Sequence, residues 1–235
     1  MDGQLDVALI SLLERKFEKT RFTRVDSDTV DNLIAKEEHK GSSLSENKRE
    51  VLAGVFESQL PKMEKREFHV QTQAMGENGA PIMITQAEYM RRMKDMAAIQ
   101  PGMSFYGEMP DMFNLLLNEE HPLIKRVLDN AESVCSDKLN PVDIKKESLE
   151  NRRKALYDAR SGKKDDEIPQ SEKDELFEIE KQITALKSEK EGILAEYAAN
   201  DNTVKQLIDI TLLQNNMLAG EALNNFVKRS IELMK

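Results

Sequence analysis

The first hydrophobic residues of the chain follow helical spacing and then alternate with polar ones. Apolar residues over Leu5–Phe17 recur every three or four positions, which predicts an amphipathic helix. Arg21–Val25 alternates and predicts a short strand, and Asp26–Ile34 predicts a second short helix. A single strand needs partner strands that this stretch does not contain. We therefore interpret residues 1–36 as the tail of an upstream α/β domain.

The next stretch predicts a linker followed by a helix. Residues 37–44 are charged and then contain glycine and serine, which favours a connecting segment. Ser45 is a suitable N-cap for the following helix, whose hydrophobic positions stop at Pro61. We interpret the linker as the boundary of a second domain, residues 45–235.

Three strands are predicted in this second domain. Phe68–Ala74 alternates apolar and polar residues, and Ile82–Ile84 is short and apolar. Because the turn-forming residues Gly76–Gly79 lie between them, we expect these two strands to form an antiparallel hairpin. Phe113–Leu117 is apolar nearly throughout, so we expect it to be the central strand. A helix with a proline, Pro122, in its first turn follows.

Methionines are concentrated in one part of this domain. Seven of the 12 methionines lie within Met83–Met112. Inside this range, Thr85–Ile99 predicts a helix, with Thr85 and Glu88 as a capping box. The residues that share one side of this helix are Tyr89, Met90, Met93 and Met96. Because methionine is flexible and polarizable, this side either packs on the strands or binds apolar surfaces of many shapes.

From Pro141 onward the strand signals end and a heptad pattern begins. Hydrophobic residues step by three and four, as is typical of a coiled coil. The seam consists of Leu176, Ile179, Ile183, Leu186, Lys190, Ile193 and Tyr197. A weaker seam at Leu149, Leu156 and Ala159 lies upstream, before a break over residues 161–169. We predict an antiparallel helical hairpin over Val142–Ala199, as an insertion of residues 141–199.

The last segment, residues 203–235, predicts two helices that need a partner. The first is apolar on two sides, so it must be buried on two sides, and one final helix after Gly220 covers only one of them. We therefore predict a homodimer held by a four-helix bundle, two helices from each copy. The predicted interface residues are Leu207, Ile210, Leu213, Met217, Leu223, Phe226, Val227 and Ile231. The predicted fold class is thus α+β: a small, mostly antiparallel three-stranded sheet with packed helices, a helical hairpin insertion and dimerisation helices.

Composition and charge narrow the class of protein. With 34 Lys and Arg against 43 Asp and Glu, the 235-residue chain has a net charge of −9, which disfavours nucleic acid or a membrane surface as partner. A single cysteine, Cys135, excludes an intrachain disulfide and favours a reducing compartment, so we expect a cytoplasmic protein. No apolar run approaches the ~20 residues of a membrane span, and Met1–Ile10 does not have the pattern of a signal peptide.

No pattern in the chain indicates catalysis or metal binding. His39, His69 and His121 are far apart and lack partners at ligand spacing, so structural or surface roles are expected. Asp165–Glu167 lacks the glycine and spacing of a calcium loop, and no glycine-rich phosphate loop occurs. We predict no catalytic, cofactor-binding or metal-binding residue, and expect Cys135 to be a plain small side chain.

Four segments, taken together, resemble the bacterial members of the heat-shock protein 90 family of chaperones. Phe113–Lys125 resembles a strand-turn-helix segment of that family, and Met90–Lys94 resembles its C-terminal amphipathic helix. Leu207–Leu233 resembles its dimerisation helices, and Arg21–Asp28 the closing strand of its middle domain. The four segments occur in the family's order along nearly the whole chain.

This resemblance implies the C-terminal dimerisation region, plus the end of the middle domain, of a chaperone that binds unfolded or partly folded client proteins. The family's ATPase domain has no counterpart here, so ATP and Mg²⁺ are expected in that missing domain, and this chain is not expected to be an enzyme. Client-binding side chains are implied at Tyr89, Met93, Met96 and Ala97, with Met90 beside them. The chain also ends without the acidic tail that binds tetratricopeptide co-chaperones in cytosolic eukaryotic relatives, so no such partners are expected.

The residues leave one alternative function open. The hairpin over Val142–Ala199 could make the protein a coiled-coil scaffold or adaptor. In that case deleting the hairpin would abolish partner binding, whereas a chaperone region would keep its dimer and its client contact.

Overall fold

The computed structural model describes residues 6–17, 19–20, 22, 42–86, 88–97, 107–161 and 168–234. These residues form seven helices and three strands. The helices are α1 (Asp6–Lys16), α2 (Glu46–Glu57), α3 (Glu88–Ala97), α4 (Pro122–Arg160), α5 (Gln170–Asn200), α6 (Asn202–Gln214) and α7 (Gly220–Glu232). The strands are β1 (Arg66–Gln73), β2 (Ile82–Thr85) and β3 (Asp111–Asn118).

The first predicted helix is confirmed as α1. The strand predicted at residues 21–25, the helix predicted at 26–34 and most of the predicted linker lie outside the described residues. The division into an upstream tail and a second domain therefore stays a prediction.

The sheet has β3 at its centre, as its apolar run predicted. β1 pairs with β3 in parallel, with Arg66 opposite Asp111, and β2 pairs with β3 antiparallel, with Ile82 opposite Leu117. The predicted hairpin between the first two strands is therefore wrong, and the sheet is mixed. The reason is β3 itself: its residues 115–117 are buried on both faces, so the strand is stabilised by a partner at each edge.

The buried Asn118 holds the turn between β1 and β2 over the end of β3. Its side-chain oxygen accepts hydrogen bonds from the backbone N–H groups of Met75 (3.1 Å) and Glu120 (3.2 Å), and its amide donates to the Gly76 carbonyl (2.8 Å). The predicted turn at residues 76–79 is confirmed, and Gly76 has a positive φ of 78° that favours glycine. The turn thus leads the chain away from β1, across the end of β3, to the opposite edge of the sheet.

The next residue, Glu119, fastens the end of the predicted linker to the sheet. Its carboxylate is buried and accepts hydrogen bonds from the Ser42 hydroxyl (2.6 Å) and from the Ser43 backbone N–H (2.7 Å). Ser45 is the N-cap of α2, as predicted, because its hydroxyl accepts a hydrogen bond from the Lys48 backbone N–H at 3.4 Å. Glu119 therefore joins the residues just before α2 to the end of β3.

Helix α4 runs without a break through Pro141, so the predicted start of a separate hairpin helix at that point is wrong. Pro141 lies on the exposed side of the helix, where water can satisfy the carbonyl that loses its helical partner. Its neighbours Leu139 and Val142 are buried. The packing of the helix thus outweighs the local cost of the proline. His121 is the N-cap of α4, since its Nδ1 accepts from the Leu123 N–H at 3.1 Å.

The predicted hairpin is confirmed as the antiparallel pair of α4 and α5, which contains two separate apolar clusters. Residues of α2, β3, the first half of α4, the last part of α5, and α6 form the main core. This core extends along the hairpin to Leu139 and Leu194. The second cluster lies farther out and consists of Leu149, Leu156, Leu176, Ile179 and Ile183. Between the two clusters, the hairpin contains a layer of buried charge.

This charged layer, called the ion layer below, joins α2, α4 and α5. Lys190 of α5, predicted as a seam residue, donates to Asp143 Oδ1 (2.8 Å), Glu50 Oε2 (3.1 Å) and Asn47 Oδ1 (2.5 Å). Lys146 of α4 donates to both Glu50 oxygens, at 2.7 and 2.8 Å. The side chains of Lys190 and Lys146 are only 7% and 11% exposed. Two buried ammonium groups are thus matched by two carboxylates, as burial of charge requires.

Candidate interaction surfaces

Helix α3 begins three residues later than its sequence predicts. Thr85 is the last residue of β2, buried and paired with Asn114, so the predicted capping box of Thr85 and Glu88 is wrong. Because Thr85 is part of the extended strand β2, it is not available as the N-cap of α3. The helix then runs from Glu88 to Ala97, and residues 98–106 lie outside the described residues.

The apolar side of α3 is partly covered. Its centre is Met93, and at about 100° per residue the other apolar side chains lie within about 60° of it. Those side chains are Tyr89, Met90, Met96 and Ala97. Tyr89 is 64% exposed, whereas the three methionines and Ala97 are half-buried. This surface, called the methionine face below, is therefore neither part of the core nor fully open.

Two ion pairs border the methionine face, one on each side. Arg92 and Lys94 precede and follow Met93, so they lie about 100° to its two sides. Arg92 donates to both carboxylate oxygens of Glu14 in α1, at 2.9 and 3.3 Å, and also to the carbonyl of Phe22. Lys94 donates to Asp111 Oδ1, at the start of β3, at 2.6 Å. The two bordering residues thus join α3 to α1 on one side of the methionine face and to β3 on the other.

A second surface lies on α6. The helix buries one side in the main core, with Val204, Ile208 and Leu212 fully enclosed, as predicted. The opposite side is open in a single chain: Ile210 is 38% and Leu213 40% exposed, and Met217 just beyond the helix is half-buried. The sequence predicted this second apolar side.

Helix α7 extends this open surface. Val227 is 45% and Ile231 53% exposed, whereas Leu223 and Phe226 are half-buried and pack against the core. Gln206, four residues before Ile210 on the same side of α6, donates to the Ser230 hydroxyl of α7 at 2.7 Å. The exposed apolar residues of both helices thus border the contact between them. Together with the half-buried Met217 just beyond α6, they are called the tail face below: Ile210, Leu213, Met217, Val227 and Ile231.

The contact between α6 and α7 depends on a charged pair that the sequence did not reveal. Arg229 donates to Asp209 and also to Gln206 Oε1, the latter at 3.0 Å. The Arg229 and Asp209 side chains are each 12% exposed. The two residues are twenty positions apart on different helices, so no periodic signal connects them. Leu207, predicted at the dimer interface, is buried in the core of its own chain, which leaves little of it for a partner.

Comparison with known proteins gives relatives over the full chain. It is 61% identical over 234 residues to the Chaperone protein HtpG of Bacteroides thetaiotaomicron and 62% identical over 234 residues to that of Bacteroides fragilis. It is 46% identical over 238 residues to that of Porphyromonas gingivalis. All of this chain is matched in each case. The chain is similar to a C-terminal portion of HtpG chaperones. This confirms the resemblance expected from the sequence motifs.

The match covers only part of the length of these HtpG chaperones. The chain spans about a third of the length of these relatives, 34% in each case. No family model and no solved structure matches it. Both candidate surfaces lie inside the matched region, because that region is the whole chain.

The remaining sequence predictions concern single residues. His69 is exposed on β1 and His121 is a helix cap, which are the surface and structural roles predicted for them. Cys135 is buried on α4, and burial raises the pKa of its thiol. His39 and residues 165–167 lie outside the described residues. In the part of the chain that the structure describes, no helix has the length and hydrophobicity of a membrane span.

Proposed function

We propose that this chain is the region of an ATP-dependent protein-folding chaperone that joins two copies and contacts unfolded or partly folded proteins. Its similarity to a C-terminal portion of HtpG chaperones supports a chaperone role. ATP and Mg²⁺ would bind, and ATP would be hydrolysed, in another part of the parent protein. We place that protein in the cytoplasm, with neither nucleic acid nor a membrane as partner.

The tail face is the observation that carries the dimerisation part of this proposal. Four of its apolar side chains, from two neighbouring helices, are 38–53% exposed in a single chain, and Met217 is half-buried. A second copy can cover this surface symmetrically, with the same residues contributed from both sides, to form a four-helix bundle. Light scattering of the chain should accordingly give twice its mass of 26.8 kDa.

The methionine face supports the client-contact part. Its side chains combine an exposed aromatic residue, Tyr89, with three half-buried methionines that can adapt to different apolar surfaces. Unfolded proteins expose apolar segments of many shapes, so an adaptable surface suits them better than a rigid pocket. The face also lies on a short helix that is joined to the rest of the chain by ion pairs at its two sides.

The double substitution Met93→Ser and Met96→Ser tests this part. A buried methionine is worth about 1.5–3 kcal/mol, so partial loss of two should raise the dissociation constant for an unfolded protein by roughly 10- to 100-fold. Fluorescence anisotropy with labelled, reduced and carboxymethylated α-lactalbumin, which stays unfolded, measures this binding.

The matched control for this experiment is Met75→Ser. Met75 is also half-buried but lies in the turn after β1, away from α3. It should leave the anisotropy titration unchanged, and circular dichroism should be unchanged in both variants. Unaltered binding by the double variant would contradict client contact through α3.

The coiled-coil scaffold is the other candidate function, because the structure contains the hairpin on which it depends. The second apolar cluster closes the outer part of α4 and α5 on itself. Replacing residues 150–180 by a short Gly-Ser linker separates the two functions: a scaffold loses its partner, whereas the chaperone region keeps its dimer and its binding of α-lactalbumin.

A further inference from the structure

The methionine face is bordered on two sides by contacts to different parts of the chain. On one side, Arg92 reaches Glu14 and the Phe22 carbonyl, both in the segment around α1. On the other, Lys94 reaches Asp111 at the start of β3. These two sets of contacts hold α3 beside α1 and the start of β3, and the three methionines of the face are half-buried.

We propose that the contact of Arg92 with Glu14 and Phe22 is an autoinhibitory clasp, which keeps the methionine face partly covered until α1 moves away. The proposal rests on the proposed function, because it assigns a regulation to the same client-contact surface. In this proposal, the position of α1 controls client binding.

The chemistry of the clasp favours a contact that is specific and can open. A guanidinium group that donates to both oxygens of one carboxylate fixes the relative orientation of its two helices. Glu14 also accepts from the Phe22 backbone N–H at 2.8 Å, so the same carboxylate holds the segment after α1 in place. The side chains of Arg92 and Glu14 are 20% and 21% exposed, so water can reach both when they separate.

Helix α1 is the element that can move in this arrangement. Its residues Leu9 and Leu12, and Phe17 just after it, are all exposed, so the main core does not hold that side of the helix. Asp111, by contrast, belongs to a strand paired along its whole length with β1. When α1 leaves, Arg92 loses its acceptors there while Lys94 stays attached. Helix α3 can then turn about its contact with β3, and the methionine face opens on the α1 side.

The test compares Glu14→Gln with Asp95→Asn in the full chain. Both substitutions remove one negative charge, but Asp95 lies about 160° from Met93, on the opposite side of α3. A surface that is open one-tenth of the time binds with one-tenth of its intrinsic affinity. Glu14→Gln should therefore lower the dissociation constant for carboxymethylated α-lactalbumin by up to about tenfold, and speed amide hydrogen exchange in residues 90–97. Asp95→Asn should change neither.

A second variant and an independent readout complete the test. Arg92→Lys keeps the charge but loses the two-oxygen contact, so it should change binding and exchange in the same direction as Glu14→Gln, to a smaller extent. Unchanged exchange in α3, or unchanged or weaker α-lactalbumin binding with Glu14→Gln, would overturn the clasp. Failure of the proposed function is seen separately, as unaltered binding by the Met93→Ser, Met96→Ser variant.

Discussion

Leu213→Asp is expected to raise the dissociation constant of the proposed dimer by about a thousandfold. Because Leu213 is 40% exposed in a single chain, each copy loses about 1 kcal/mol of leucine burial at the interface. An aspartate without a partner in an apolar interface costs at least about 1 kcal/mol more, and a symmetric interface counts both losses twice. The resulting ~4 kcal/mol corresponds to a factor of about 1000 in affinity. Sedimentation equilibrium over a concentration series measures the effect.

The control for this substitution is Ile144→Asp, which also introduces an acidic residue at an exposed apolar position. Ile144 is more exposed than Leu213 but lies on the hairpin helix α4 rather than on the tail face. Its variant should stay dimeric, and both variants should keep the circular dichroism of the parent chain. A Leu213→Asp protein that dimerises as tightly as the parent would mean that the tail face is not the contact between copies.

Glu50→Ala is expected to reduce the free energy of unfolding by about 3–5 kcal/mol. The carboxylate accepts hydrogen bonds from both lysines of the ion layer, and Lys146 loses both oxygens to which it donates. Removing one partner from a buried ion pair leaves a charge in a poorly solvated site, which is among the costliest single changes. Because the Glu50 side chain is itself 38% exposed, we expect the lower part of this range. Urea denaturation followed by circular dichroism gives the value.

An exposed ion pair of the same helices provides the comparison. Lys48 of α2 and Glu132 of α4 lie 2.9 Å apart, with side chains 44% and 36% exposed. Glu132→Ala should cost less than ~1 kcal/mol, since exposed pairs contribute little. Equal losses from the Glu50 and Glu132 variants would show that burial of the ion layer does not determine its contribution.

The ion layer also predicts how stability depends on pH. Burial acts to raise the pKa of Glu50, but the hydrogen bonds and charges of Lys146 and Lys190 outweigh it and lower the pKa below its ordinary 4.5. A carboxylate with a lowered pKa stabilises the folded state fully above pH 4.5 and loses that contribution as the pH falls through its folded value. Burial acts to lower the pKa of Lys146, but Glu50 raises it above 10.5, so this contribution is lost only in strong alkali. The urea concentration at the midpoint of unfolding should thus decrease as the pH is lowered below 4.5. This decrease should be smaller in Glu50→Ala than in the parent chain.

Several elements could be predicted because their signal is local. Helical periodicity identified α1, α2 and the hairpin, including Lys190 on the seam where the structure buries it. The apolar run at residues 113–117 indicated a central strand, because such a run is buried on both faces. The two apolar sides of α6 were also predicted, since each side chain's direction around a helix follows from its position in the sequence.

Other features depended on partners distant in the sequence. The first two strands are separated by β3 rather than paired, and α4 continues through Pro141 because packing on both sides of the proline outweighs its local cost. Local signals also placed Thr85 in a helix cap, whereas pairing with Asn114 placed it in a strand.

The two candidate surfaces also combine features that the sequence predicted with features that depended on distant partners. The sequence determined which apolar residues share a side on α3 and α6, because helical spacing alone sets this. The structure narrowed the eight predicted interface residues to the tail face, since it buries Leu207 and packs Leu223 and Phe226 against the core. Only the tertiary structure decided how far each face is covered, and by which charges: Glu14 and Asp111 beside α3, and Arg229 against Asp209 between the last helices. Periodicity describes one element at a time. Ion pairs between elements depend on distances that exist only after the chain has folded.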